Sequence, residues 1–189
     1  MNYEEIERKV KKRISKKRFL HSLGVVNCAT DLAKRYNCDV EKARIAAISH
    51  DCAKEMEMEK LLLIARSHKL ELDQVMLVEP QLLHGPVGSV VAKEELQIED
   101  KEILNAIYYH TTGRENMSIL EKIIYLSDVI EESRSYDGIE KVRSLSKVNL
   151  NKAILLAIDN TIHFVLSIDS LLHPNTIQAR NSIILENKL

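Results

Sequence analysis

Only five glycines and three prolines interrupt the 189 residues of this chain. So few breakers leave little material for the many tight turns an all-β fold demands. Apolar residues instead recur at three- and four-residue steps, as in Tyr3, Ile6, Val10 and Ile14, which share one helix face. The same spacing predicts helices from just before His21 to about Tyr36, from Val40 to about His50 behind an Asp39 cap, and over 57–66. Pro86 suits the first turn of a helix reaching about Leu96, and Asp100 caps one that ends near His110, with Gly113 as its stop. Ser118 and Glu121 form a capping box for a helix through about Glu132. A long apolar-periodic helix follows over Leu150–Ile168, and Asn175–Leu185 closes the chain, whereas Leu70–Leu83 shows no clear period. With no repeat, low-complexity tract or linker, the reading is one all-α domain over 1–189, with a basic N-terminal helix, 1–17, packed on it.

Composition narrows the class. Hydrophobic residues make up 45% and charged residues 29%, which argues against disorder. Apolar runs such as Leu61–Ala65 fall far below the ~20 residues needed to span a bilayer, so no membrane partner is expected. The net charge of −1 announces no nucleic-acid partner. Residues 1–20 nevertheless hold eight basic and three acidic side chains, leaving −6 for the remainder. Cys28, Cys38 and Cys52 form no CxxC pair, and the N-terminus is charged from Glu4 onward, so the expected location is the cytoplasm.

Six residues carry candidate chemistry: His21, the adjacent pair His50-Asp51, His84, His110 and Asp128. Imidazole and carboxylate suit iron, manganese and zinc. His50 and His110 fall at expected helix C-termini, where free carbonyls favour a cation. A lone histidine on an apolar face is more often core than ligand. Asp128, facing the apolar side of its helix with Ile124, is harder to dismiss, because a buried carboxylate needs a partner. A helical bundle can bring such residues from separate helices to one point.

The order His21, His50-Asp51, Asp128 resembles the HD-domain metal-dependent phosphohydrolases, and His84 with His110 resembles the subset with a second metal site. More narrowly, the chain is similar along nearly its whole length to the bacterial YqeK family. The matching blocks are Arg18–Val25, Ala46–Lys54, Leu83–Gly88, Tyr109–Arg114 and Leu120–Glu131. The resemblance implies an all-α helical bundle with a central dinuclear metal site. It also implies symmetrical hydrolysis of diadenosine tetraphosphate to two ADP, with iron as the favoured metal and manganese as the alternative. On this chain, His21, His50, Asp51 and Asp128 would hold one metal, and Asp51 would bridge to a second held by His84 and His110. A metal-bound hydroxide would then attack a central phosphorus.

Asp51 and Lys54 are the candidate catalytic residues; Arg18, Lys54, Thr111 and Arg134 are the candidate substrate contacts. Arg18 lies three residues before His21 and Lys54 three after Asp51, whereas Arg134, six after Asp128, must approach from beyond a helix end. Tyr109 and Tyr136 are the aromatic candidates for an adenine slot. His68 and His163 suggest no metal role; His173-Pro174-Asn175-Thr176 resembles a family tail segment that could contact the nucleoside, with an ordinary helix entry as the favoured reading. Two rival readings stand beside this one. The first is an HD phosphohydrolase of a nucleoside monophosphate, a deoxynucleotide or a guanosine alarmone. The second, weaker, is a helical RNA-binding module using the basic N-terminal segment. Apolar stripes at both ends leave a homodimer open.

Overall fold

The computed structural model describes residues 1–186 and 188 and places eleven α-helices, with no strand, among them. They are α1 (Tyr3–Arg13), α2 (Lys16–Arg35), α3 (Val40–Ser49), α4 (Met58–Ser67), α5 (Gln74–Val78), α6 (His84–Glu94), α7 (Lys101–Tyr109), α8 (Ile119–Ile130), α9 (Ile139–Ser146), α10 (Leu150–Ser167) and α11 (Pro174–Glu186). A short 3-10 turn, Pro80–Leu83, leads into α6.

Local chemistry sets most of the helix starts. Asp39, Asp73, Asp100, Ser118 and Asn149 each accept backbone N–H bonds at an N-cap. The Ser118–Glu121 box is reciprocal, and Asn2 with Glu5 forms a second one. Three expectations need correction. The basic N-terminal helix, expected over 1–17, ends at Arg13 with Ile14 as its C-cap, and Lys16 and Lys17 already belong to α2. The second helix starts at Lys16, more than a turn before His21, because the Ser15 side chain accepts from Arg18 N–H. The segment 139–146, for which the spacing predicts nothing, is a helix that opens after Gly138 with no side-chain cap and buries only Ile139, Val142 and Ser146.

The centre of the bundle is α2, α3, α7 and α8, which pack on one another. Helix α3 is short and bears Ala43, Ala46, Ala47 and Ile48, all fully buried, so small side chains let its neighbours come close. Val25, Ala29, Ala106, Ile107, Ile123 and Ile124 complete the core from α2, α7 and α8. On one flank α1 lays Tyr3, Ile6 and Val10 against α3. Part of its basic face is used within the molecule: Arg13 Nε donates to the Cys52 carbonyl at 2.8 Å, and Lys9 Nζ to the Glu95 carbonyl at 2.6 Å. On the other flank α10 packs against α8, α9 and α11. No helix among the described residues is long and apolar enough to cross a membrane.

Candidate metal centre

Five elements meet at one point, each delivering a polar side chain. Helix α2 passes through with His21, and α8 passes with Asp128. Helices α3 and α7 end there, His50 and His110 being their C-caps, and Asp51 follows at once. Helix α6 begins there with His84. This last placement depends on Gly85: a β-carbon at that position would lie 2.6 Å from the Tyr108 carbonyl oxygen, so only glycine lets the start of α6 meet the end of α7.

The histidines are aimed by their Nδ1 atoms. His50 Nδ1 lies 2.6 Å from the Ala47 carbonyl and His110 Nδ1 2.7 Å from that of Ile107; His84 Nδ1 contacts the Gln81 carbonyl in the same i−3 pattern. His21 instead directs Nδ1 to Glu131 Oε1 at 3.0 Å. With Nδ1–H donating outward, each Nε2 presents a lone pair inward. Asp51 lies between them. Its Oδ2 is 3.3 Å from His50 Nε2 and 3.8 Å from His21 Nε2; its Oδ1 is 3.3 Å from His84 Nε2 and 3.6 Å from His110 Nε2. Asp128 Oδ1 closes the first group, 3.0 Å from His21 Nε2 and 3.9 Å from His50 Nε2.

The free protein does not satisfy this arrangement by itself. Nε2 of His21 and of His50 are buried without a properly directed hydrogen bond, although each stands close to a carboxylate oxygen. Nε2 of His84 and His110 lie 3.0 Å apart, and both Nδ1 atoms are already engaged. Two inward lone pairs at that distance call for a cation between them. Two overlapping sets of donors, His21–His50–Asp51 and Asp51–His84–His110, each converge within 4.8 Å, and His50–His110–Asp128 links them. Neutral imidazole and carboxylate are the donor set of a divalent metal, and the residues fit one.

The ionisation of the site follows from the same close packing. Burial alone would keep the Asp51 carboxyl protonated, but the imidazoles of His50, His110 and His84 around it hold it well below the usual carboxylate range. Asp128 is held down in the same way, against burial, by His21, His50 and Arg134. Burial pushes His84 down to about 4, assisted by His110 and Lys54, so it is a neutral imidazole at physiological pH. His50 is raised: burial opposes its charge, and Asp51 and Asp128 outweigh that.

Cationic side chains ring the centre. Arg18 Nη1 donates to Asp51 Oδ2 at 2.9 Å. Arg134 reaches back past the end of α8, with Nε on the Asp128 carbonyl at 2.8 Å and Nη2 on Asp128 Oδ1 at 2.5 Å. Lys54 Nζ lies 3.3 Å from His84 Nε2, and burial lowers its pKa. Thr111 Oγ1 stands 3.3 Å from His84 Nε2 and 3.2 Å from His110 Nε2, whereas Thr112 donates to the Gly113 carbonyl. The six candidate ligands therefore assemble around one point together with Arg18, Lys54, Thr111 and Arg134. His68, His163 and His173 lie elsewhere. His68 faces Glu94, His163 is exposed, and His173 caps the start of α11 and approaches Asp73.

Glu131 is the residue that sequence reasoning passed over. Buried at the C-cap of α8, it accepts from the Ser133 backbone N–H at 2.8 Å as well as facing His21. Its neighbour Arg143, from α9, donates to the carbonyls of Ile130, Glu131 and Arg134 and so fixes the turn that carries both Glu131 and Arg134.

A bundle of helices that gathers His21, His50-Asp51 and Asp128 in this order is the arrangement of an HD-domain hydrolase. The HD domain model matches residues 18–133, and the chain belongs to that family. The chain is 42% identical over 188 residues to the symmetrical bis(5'-nucleosyl)-tetraphosphatase of Halalkalibacterium halodurans, covering 100% of both. It is 38% identical to the protein of the same name from Bacillus subtilis, covering 97% of this chain and 98% of that one. Among solved structures, a predicted HD superfamily hydrolase involved in NAD metabolism from Clostridium acetobutylicum superposes with a TM-score of 0.95 at 45% identity, over 98% of each chain.

Proposed function

We propose that this chain hydrolyses diadenosine tetraphosphate symmetrically to two ADP at a two-metal centre. His21, His50, Asp51 and Asp128 would hold one ion, and Asp51, His84 and His110 would hold the other. The observation that carries this reading is the division of Asp51, with Oδ2 toward His21 and His50 and Oδ1 toward His84 and His110. Relatives of full-length similarity that bear the name of this activity support it. Iron is the proposed metal, with manganese the alternative, since both accept this donor set. When bound, such ions neutralise phosphate charge and lower the pKa of water to near neutrality.

The chain's own residues do the rest. Within the centre, Asp51, Asp128 and Glu131 set three negative charges against the three positive ones of Arg18, Lys54 and Arg134, so two divalent ions leave the site strongly positive. That excess draws in a polyphosphate. Arg18 and Arg134 each spend only part of the guanidinium on a carboxylate, and the remaining N–H groups are free to grip phosphate oxygens. Lys54 holds its proton beside His84, where it donates to the oxygen that leaves with ADP. Thr111 adds a hydroxyl donor on the same side. Water adds to one of the two central phosphorus atoms, the bond to the oxygen bridging it to the other breaks, and each half departs as ADP. Chromatography of the products from diadenosine tetraphosphate tests this directly: ADP alone is expected, and AMP with ATP would overturn the symmetrical cut.

A further inference from the structure

The motif His173-Pro174-Asn175-Thr176 lies outside the metal centre, yet the segment before His84 and the segment after His110 are both tied to it. We infer that the stretch 170–176 is a clamp whose polar side chains position His84 and His110 for the second ion. The inference rests on the two-ion centre proposed above and adds positioning residues outside its ligand set.

The approach to His84 runs through the short helix α5 and the 3-10 turn, and the stretch 170–176 holds both ends of α5. At the N-terminal end, Asp73 Oδ1 accepts from Met76 N–H at 2.8 Å, and Asp73 Oδ2 stands 2.8 Å from His173 Nε2. At the C-terminal end, Glu79 accepts from the Ser170 hydroxyl at 2.7 Å and from the side chain of Gln81. The Gln81 carbonyl is in turn the group that aims His84 Nδ1. A helix of five residues is too short to be stable by itself, so its placement depends on such outside contacts.

His110 is held from the other end of the same stretch. Thr176 Oγ1 donates to the Thr112 carbonyl at 3.1 Å, two residues beyond His110. Further along α11, Ala179 packs over Gly113, where a β-carbon on the glycine would lie 2.9 Å from that of Ala179, and Ser182 accepts from Asn116 N–H at 3.0 Å. Thr176, Ala179 and Ser182 thus present one buried face of α11 to the loop after His110.

His173 joins the two halves of the clamp. Its ring is buried, and Nδ1 accepts from Asn175 N–H at 3.1 Å, which leaves Nε2 to carry the proton and face Asp73. The two histidines held in this way have their Nε2 atoms 3.0 Å apart. Metal–ligand distances hold to within about 0.2 Å, so a small shift of either approach disturbs the pair. The ligands of the first ion come instead from α2, α8 and the end of α3, and among the described residues no hydrogen bond from 170–176 reaches them.

The test is calorimetric titration of manganese into the metal-free full chain. The wild type is expected to take two ions, and His84→Asn marks which binding step belongs to the second. His173→Gln and Thr176→Val are each expected to weaken that second step about tenfold, the lower end of what losing a partner behind a ligand costs, and to leave the first within twofold. Thr176→Ser keeps the hydroxyl and is expected to restore the second step. Ile183→Ala, which opens the core side of α11 away from the clamp, is expected to lower the thermal midpoint and leave both steps in place. Two unchanged steps in His173→Gln and Thr176→Val, or two steps weakened together, overturn the inference. A wild type that takes one ion counts against the two-ion centre. The clamp is then judged by the imidazole NMR signals of His84 and His110 in the metal-free chain: signals that move in His173→Gln and Thr176→Val support it, and unmoved signals overturn it.

Discussion

His21 Nδ1 stands 3.0 Å from Glu131 Oε1, and His21 is the one histidine of the centre oriented by a side chain rather than by a backbone carbonyl. A carboxylate behind a ligand histidine fixes its tautomer and raises its basicity. The pair ties the metal centre to the turn after α8, which Arg143 clamps.

Glu131→Gln keeps the shape but removes the charge behind His21. Manganese affinity, read by calorimetry, is expected to fall roughly 10-fold, toward the lower end of what losing such a partner costs. Unchanged affinity would mean that Glu131 serves only the turn.

Gly24→Ala reaches the same contact from the opposite side. Its β-carbon would lie 2.4 Å from Glu131 Oε2, and that carboxylate is pinned by Ser133 and His21. Alanine inside a helix is otherwise favourable by up to about 1 kcal/mol. The expected result is weaker manganese binding together with a metal-free thermal midpoint within about 4 °C of the wild type.

The metal-free protein should lose stability in acid through His84. Its folded pKa of about 4 lies below the unfolded value of 6.5, because burial disfavours the charged ring. The unfolded chain therefore takes up the proton first as pH falls from about 6.5 toward 4, and stability drops across that window. Between pH 7 and pH 5 the loss from this group is about 2 kcal/mol. Denaturant titrations of the wild type and of His84→Asn should differ by that slope, and equal slopes would refute it. His50, whose pKa is raised, contributes in the opposite direction and only above pH 6.5.

Lys54→Met separates chemistry from metal holding. Lys54 disfavours positive charge on His84, so removing it should leave manganese affinity unchanged or tighter. Turnover of diadenosine tetraphosphate should fall about 10²-fold, as on losing one well-placed donor to developing charge. Loss of both properties together would place Lys54 among the residues that build the metal centre.

Much of the bundle was legible because its helices begin with strong local signals. Asp39, Asp100 and the Ser118–Glu121 box each fix a start that no tertiary contact has to correct. Local signals are weak in two places: Ser15 is an ordinary cap hidden in a basic run, and α9 has no side-chain cap and only three buried residues. The six candidate ligands were legible because their residue types are unusual on apolar faces and their order matches a known pattern. Glu131 was not, since a glutamate at a helix end is unremarkable until the fold brings it to His21, 110 positions away in sequence. The choice between Tyr109 and Tyr136 likewise depends on what covers each ring, which is a tertiary property.

The central claim, a two-ion centre divided by Asp51, is tested most directly by anomalous diffraction from manganese-soaked crystals of the full chain. The account predicts two peaks, one among His21, His50, Asp51 and Asp128 and the other among Asp51, His84 and His110. A single peak at saturating manganese, or peaks away from Asp51, would contradict it.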